Sequence, residues 1–278
     1  MQKARSLLAD EVIFDLEDAV IPTRKDEARR NAAAALVAGG IAAATISVRV
    51  NPPRTPWAHA DLIALAGAER RPDTIIVPKV ESSGDLAFVE RLLHGVERAS
   101  GHGEPIGIQA LVETAQGLRN VDEIVSSSAR LEAVVLGYAD LAASLGRSRS
   151  CAARLDLWLS AQDTVLTAAR AAGVQAIDGP FLAIEDPDGL RASASRGADL
   201  GFDGKWVIHP SQLQAITDAF TPARSEIEHA RAVLAALGKA ADDDRGAGTL
   251  DGEMLDEAVS LAARRTLSRA GLMREQAV

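Results

Sequence analysis

The sequence predicts an α/β fold of the TIM-type (β/α)8 barrel kind, lacking its first strand and carrying a helical lid segment at the C-terminal end. Three observations predict it. Short β-branched runs alternate along the chain with longer stretches of helical spacing, the pattern of a parallel sheet covered by helices. No glycine-rich turn follows the first strand, as an open nucleotide-binding sheet would require; Gly101, Gly103 and Gly107 precede a strand and are wrongly spaced. Residues that carry chemistry stand at or just past strand ends, where a barrel builds its active site: Asp15, Glu17, Asp18, Arg49, Asn51, Lys79, Glu113, Asp140, Asp178 and His209.

Taken in order, the strands are expected at 12–15, 47–50, 74–78, 106–112, 131–136, 174–177 and 205–208. Helices are expected at 25–37, 58–66, 84–98, 121–128, 158–172, 188–198 and 211–218. Seven strands fall one short of a closed barrel, and 2–8 reads as the end of a helix, so the missing strand is expected upstream of Met1. The alternative is an open seam with an unpaired edge. A helix opened by Pro222 follows at 221–237 and completes a catalytic domain over 1–237. Residues 238–252, with Asp242, Asp243 and Asp244, read as a flexible linker, and 253–278 as an amphipathic helical lid of this subunit or a neighbour.

The chain has 278 residues and a formal net charge of -9, with no basic block, which disfavours nucleic acid and anionic membranes as partners. The uncharged run 31–48 is alanine-rich and broken by Gly39-Gly40, so it reads as helix, turn and strand. A single cysteine, Cys151, excludes an intrachain disulfide and reads as a small buried hydrophobe. With no signal-peptide order at the N-terminus, a cytoplasmic location is expected.

Glu113 and Asp140 are two carboxylates at neighbouring strand ends without a His or Cys cluster, which suits a hard cation such as Mg²⁺; equally, one caps a helix and the other pairs with a lysine. Arg49 ends an apolar strand, so its guanidinium either closes an ion pair with Glu17 or Asp18 or offers a planar fork to a substrate carboxylate or enolate oxygen. Glu17 and Asp18 read as acids orienting Arg49 or metal-bound water. Lys79 reads as an electrostatic or structural group rather than a Schiff-base lysine. His209 before Pro210 reads as a turn histidine. No Gly-x-Ser-x-Gly elbow is present, which argues against a serine hydrolase.

Eight segments, in this order, carry a resemblance: Phe14-Asp-Leu-Glu-Asp-Ala-Val20, Val48-Arg-Val-Asn51, Val77-Pro-Lys-Val80, Ala110-Leu-Val-Glu-Thr-Ala115, Leu136-Gly-Tyr-Ala-Asp-Leu141, Gly173-Val-Gln-Ala-Ile-Asp178, Gly201-Phe-Asp-Gly-Lys-Trp-Val-Ile-His-Pro210 and Asp251-Gly-Glu-Met-Leu-Asp256. The chain resembles the citrate lyase β-subunit-like, or HpcH/HpaI aldolase-type, CoA-ester lyases. Members typically begin with a strand carrying a Ser-x-Leu-x-x-Pro-like motif and an arginine that helps hold CoA; here only Lys3-Ala4, the tail of the following helix, matches.

The resemblance implies that Glu113 and Asp140 hold Mg²⁺, that Arg49 faces the substrate, and that Asp256 is a catalytic acid/base brought in by the lid, often from an adjacent subunit. It implies a carbon–carbon lyase that cleaves or forms a short 3-hydroxy-3-carboxyacyl-CoA such as malyl-CoA or citramalyl-CoA, yielding acetyl-CoA and a 2-oxo acid, with thioesterase activity in some members. It also favours a homotrimer or a multiple of one. The competing expectations are a metal-dependent aldolase on free 2-oxo acids, a lyase subunit acting on an acyl carrier protein, and a non-catalytic truncated barrel.

Overall fold

Among the described residues, seven strands lie side by side in chain order, each parallel to the next: β1 (Glu11–Asp15), β2 (Thr45–Arg49), β3 (Thr74–Val77), β4 (Gly107–Val112), β5 (Leu131–Leu136), β6 (Gln175–Asp178) and β7 (Gly204–Lys205). The computed structural model describes residues 7–148, 154–242 and 246–273. Lys3, Ala4, Cys151, Asp243 and Asp244 lie outside them. Sequential order excludes the doubly wound arrangement, in which the chain starts in mid-sheet and reverses.

The sheet curls. Glu11 of β1 accepts a hydrogen bond from Gln109 Nε2 of β4 at 2.7 Å, whereas three strand spacings in a flat sheet amount to about 14 Å. Ile13, Ile177 and Trp206 pack from opposite ends of the sheet onto Ile76, Leu111 and Val135, the apolar filling of the inner face. The result is a partial TIM-like barrel with β1 and β7 as the two ends of its sheet.

Between the strands run α1 (Lys25–Ala38), α2 (Ala58–Ala66), α3 (Ser83–Ala99), α4 (Ala115–Arg119), α5 (Val121–Val125), α6 (Tyr138–Ser144), α7 (Leu159–Ala172) and α8 (Pro187–Leu200). Their ends follow local chemistry. Ser82 and Asp85 form a capping box on α3. Asp186 caps α8 ahead of Pro187, and Gly201, at φ 103°, ends it in the left-handed region that glycine enters without a Cβ penalty. The expected strands match the observed ones within two residues at most bounds, except the last. β7 stops at Lys205, where the Trp206 amide donates to Asp178 O at 2.9 Å and the chain turns away.

The chain divides into two compact units, the first ending at Ile216 and the second starting at Thr217, with α9 (Leu213–Phe220) spanning the boundary. The second unit contains α10 (Arg224–Asp242), an antiparallel hairpin of β8 (Gly248–Leu250) and β9 (Glu253–Leu255), and α11 (Glu257–Arg269). Ala230, Val233, Leu255, Ala263 and Leu267 make its core. This corrects the expected division at 237. Residues 238–242 continue α10 because Ala240 is buried, and 248–255 pair around Asp251-Gly252. Both turn residues have positive φ, 51° and 86°, the pattern of a two-residue hairpin loop. Residues 253–255 are therefore strand, and the helix begins only after Asp256. No helix among the described residues is long and apolar enough to cross a membrane.

Asp61, fully buried on α2, ties the helical layer to the strand ends. It accepts bonds from Arg29 Nε of α1 at 2.7 Å and from the Asn51 amide and side chain at 3.0 and 2.6 Å. Removing Asp61 leaves Arg29 only the exposed Asp26 and takes the acceptor from two buried Asn51 donors. Asp61→Ala is therefore expected to cost on the order of 3–5 kcal/mol in urea unfolding. A loss below about 1 kcal/mol, the size of an exposed pair, would show that the contact carries no structural weight.

Candidate active site

The site starts from strand register. Asp15 and Arg49 are paired positions at the carboxyl ends of β1 and β2, so both side chains leave the sheet on the same side. They form a two-point fork, Arg49 Nε to Asp15 Oδ1 at 2.9 Å and Nη2 to Oδ2 at 2.6 Å. Asp15 also accepts the amides of Glu17 and Ala19 at 2.8 and 3.2 Å, which curls the chain after β1 and turns Glu17 inward. Buried Lys25 holds the same loop from below, donating to the carbonyls of Leu16 and Glu17 at 2.8 and 2.7 Å.

Burial alone would push the Asp15 carboxyl up, but the Arg49 bond and charge and the two amides hold it below its usual value. Burial works against the Arg49 charge too, and Asp15, Glu17 and Glu113 more than offset it. Arg49 Nη1 lies 3.0 Å from Glu17 Oε2 in an orientation that leaves that oxygen without a hydrogen bond. Trp206 covers the guanidinium, 5.9 Å from its ring centre. Of five N–H donors, Asp15 takes two, so the guanidinium is held in place with donors to spare.

Glu113 follows β4 and is 3% exposed. The Lys79 amide donates to its Oε1 at 3.1 Å. Its other oxygen fits only because residue 137 is glycine, since a Cβ there would stand 2.7 Å from Oε2 and 2.6 Å from the Glu113 Cβ. Asp140 stands in the first turn of α6, which opens directly after Gly137. The Lys79 ammonium bonds Glu17 and lies 3.7, 3.9 and 3.7 Å from Asp18, Glu113 and Asp140. Four carboxylates thus converge on one point.

Burial, aided by the charges of Asp140 and Glu17, pushes the Glu113 carboxyl up to about 8 despite Lys79 and Arg49. Burial likewise raises Glu17 against the pull of Lys79 and Arg49. Fully ionised, the carboxylates here would outnumber the two side-chain cations, and with no further cation Glu113 relieves that excess by keeping a proton; a site of this kind fits a hard cation between Glu113 and Asp140. Both are oxygen donors, which suits Mg²⁺, an ion that keeps water and substrate oxygens beside one or two carboxylates.

The structure thus brings together Arg49, Glu17, Asp18, Lys79, Glu113 and Asp140. Asp256 belongs to the second unit, where its side chain accepts the Val259 amide at 3.1 Å and caps α11. His209 Nδ1 accepts the Ser211 amide at 3.3 Å and caps the turn at Pro210. Sequence reasoning did not assign Asp15, Lys25, Gly137 or Trp206. Only Asp15 carried a signal, its place at the end of the first expected strand. Unassigned too was a buried network behind the strand ends. There Lys205 bonds Asp178 at 2.5 Å and Gly179 O at 2.7 Å, Tyr138 donates to Asp178, and Gln162 donates to the Tyr138 hydroxyl at 2.8 Å.

Because the Glu113 carboxyl sits near 8 in the fold and near 4.5 when exposed, the folded chain keeps a proton that the unfolded chain loses. Its stabilising contribution is present below about pH 4.5 and lost as pH rises toward about 8. In chelator-treated protein, Glu113→Gln is expected to flatten the fall in melting temperature between about pH 5 and 8. Equal slopes in the two proteins would refute the buried, under-compensated carboxyl.

A family profile described as HpcH/HpaI aldolase/citrate lyase matches residues 1–210. The L-malyl-CoA/beta-methylmalyl-CoA lyase of Cereibacter sphaeroides is 36% identical over 92% of this chain and 85% of its own length. A (3S)-malyl-CoA thioesterase of the same species is 39% identical over 97% of this chain and 90% of its own. The crystal structure of CitE from Mycobacterium tuberculosis, in complex with magnesium, acetoacetate and coenzyme A, superposes with a TM-score of 0.75 at 33% identity, covering 95% of this chain and 90% of that one. With the profile spanning the barrel and relatives above 30% identical along nearly the whole chain, the protein belongs to the HpcH/HpaI aldolase/citrate lyase family.

Proposed function

We propose that this chain is a Mg²⁺-dependent carbon–carbon lyase that cleaves or forms a short 3-hydroxy-3-carboxyacyl-CoA, malyl-CoA or citramalyl-CoA, with acetyl-CoA and glyoxylate or pyruvate on the other side. The observation that carries the reading is the convergence of buried Glu113 and of Asp140 on the Lys79 ammonium, at 3.9 and 3.7 Å, in a site with a guanidinium that has donors to spare. The relatives' names and the magnesium and coenzyme A of the CitE complex support it.

Glu113 and Asp140 would hold the metal, whose chemistry there is to polarise the oxygen that becomes the keto group and to lower the pKa of the substrate hydroxyl. Arg49 offers its spare donors to the oxygen of the thioester enolate. Because Asp15 and Trp206 already fix the guanidinium, stabilising that charge needs no reorganisation. Glu17 and Asp18 orient Arg49 or water on the metal. On the family resemblance, Asp256 is assigned the proton at the enolate carbon, given in cleavage and taken in synthesis, from this subunit or a neighbouring one of a homo-oligomer. Hydrolysis of the thioester in the same pocket is the second reading, favoured by the 39% identical thioesterase.

The test is product analysis by mass spectrometry after incubation with Mg²⁺ and stereoisomers of malyl-CoA and citramalyl-CoA. Acetyl-CoA with a 2-oxo acid, lost in Glu113→Ala, supports the lyase; free CoA with intact hydroxy acid supports the thioesterase; no turnover despite Mg²⁺ binding refutes both. Arg49→Lys keeps the charge and loses the fork, so kcat is expected to fall on the order of 10²–10³-fold. A variant within threefold of the parent would remove Arg49 from the transition state.

A further inference from the structure

Lys79 stands in an uncomfortable place. Its φ of 53° is the left-handed region, which among the described residues only one other non-glycine residue, Asp251, enters. A side chain there is strained, and strain of this kind persists where the surroundings impose it and function uses it. The geometry places two groups at once. The Lys79 amide points to Glu113 Oε1, and the ammonium reaches the meeting point of Glu17, Asp18, Glu113 and Asp140. The ammonium has three donors and bonds only Glu17 among the described protein groups; both proposed metal ligands lie just beyond hydrogen-bond length, at 3.7 and 3.9 Å. Its side chain is 31% exposed, so a small ligand can reach it.

We propose that Lys79 is a resident counter-cation that couples metal binding to oxo-acid binding: its charge opposes a divalent ion at Glu113 and Asp140, and attracts the carboxylate of a 2-oxo acid that enters beside that ion. The inference rests on the metal reading given above. Its physical basis is that a positive charge about 4 Å from both carboxylates repels an incoming dication and attracts an incoming anion, in a pocket too buried for water to screen fully. The bare ion is then held weakly, and the ion with its chelating acid is held well. Arg49 is not placed to do the same, because its ion pairs are with Asp15 and Glu17, whereas Lys79 lies within 4 Å of both proposed metal ligands.

The test is calorimetric titration of the full chain with MgCl₂ alone and then, at saturating Mg²⁺, with sodium pyruvate and sodium glyoxylate. Lys79→Met is expected to bind Mg²⁺ on the order of tenfold more tightly and the oxo acids on the order of tenfold more weakly. Lys79→Arg, which keeps the charge, is expected to stay near the parent on both. Replacing lysine by methionine leaves the backbone strain as it was, and Lys79→Gln repeats the test if Lys79→Met loses its circular dichroism. Opposite movement of the two affinities is the signature, because a lysine that merely shapes the site would weaken both when removed. Affinities that fall together, that do not move, or of which only one moves overturn the proposal. Absence of Mg²⁺ binding in the parent chain instead removes the metal reading, and the proposal with it.

Discussion

Too many carboxylates meet at one end of this sheet for the cations that face them, and the surrounding structure is arranged around that imbalance. Asp15, Glu17 and Glu113 are buried or nearly so, and Arg49 and Lys79 answer them. The arrangement depends on the register of β1 against β2. Asp15 stands opposite Arg49, and a slip of one residue would send one of the two to the other face and break the fork between them. The turn after β1 then follows from Asp15 accepting two amides, and Lys25 locks it by donating to two carbonyls. A Glu113 carboxyl that keeps its proton for want of a further counter-charge, beside Asp140, is what suits the pair to a hard cation.

Neighbouring elements keep this charge in place without touching it. Asp61 clamps Asn51 two residues past Arg49. The pair of Lys205 and Asp178, both fully buried, ties the ends of β6 and β7 to Tyr138, which opens the helix that bears Asp140. A buried ion pair of this kind contributes little net stability against an apolar replacement. Its effect here is geometric, since it couples three consecutive strand ends behind the site.

The alternation of strands and helices was legible because the parallel strands are buried on both faces and read as apolar runs, and because the acids and Arg49 interrupt those runs where the strands stop. Glu17, Asp18, Arg49, Lys79, Glu113 and Asp140 could be gathered on that basis from the sequence. Asp15 stood in the same set, but its pairing with Arg49, and the roles of Lys25 and Trp206, escaped because they depend on the partner strand, a loop carbonyl and the curl of the sheet, none of which a single chain's periodicity carries. Gly137 escaped for a related reason: its significance is the Glu113 side chain that passes over it. The second unit was misread in a different way. Amphipathic spacing over 253–270 suggested one helix, yet Asp251-Gly252 is a strong short hairpin signal, and 253–255 pair accordingly.

Cleavage of a carbon–carbon bond and hydrolysis of a thioester ask nearly the same of this pocket. Both need the acyl group oriented and donors for negative charge that develops on the thioester oxygen, which Arg49 can meet in either case. They differ in the group that must arrive next. Cleavage ends with a proton delivered to carbon, whereas hydrolysis needs water at the thioester carbonyl. On the proposed reading the distinction rests on which groups and how much water reach the thioester, and not on Arg49 and the buried carboxylates. Relatives named for each activity match this chain at 36% and 39% identity. Such near parity is expected if the shared barrel mouth supplies the common half of both reactions and water exclusion selects between them.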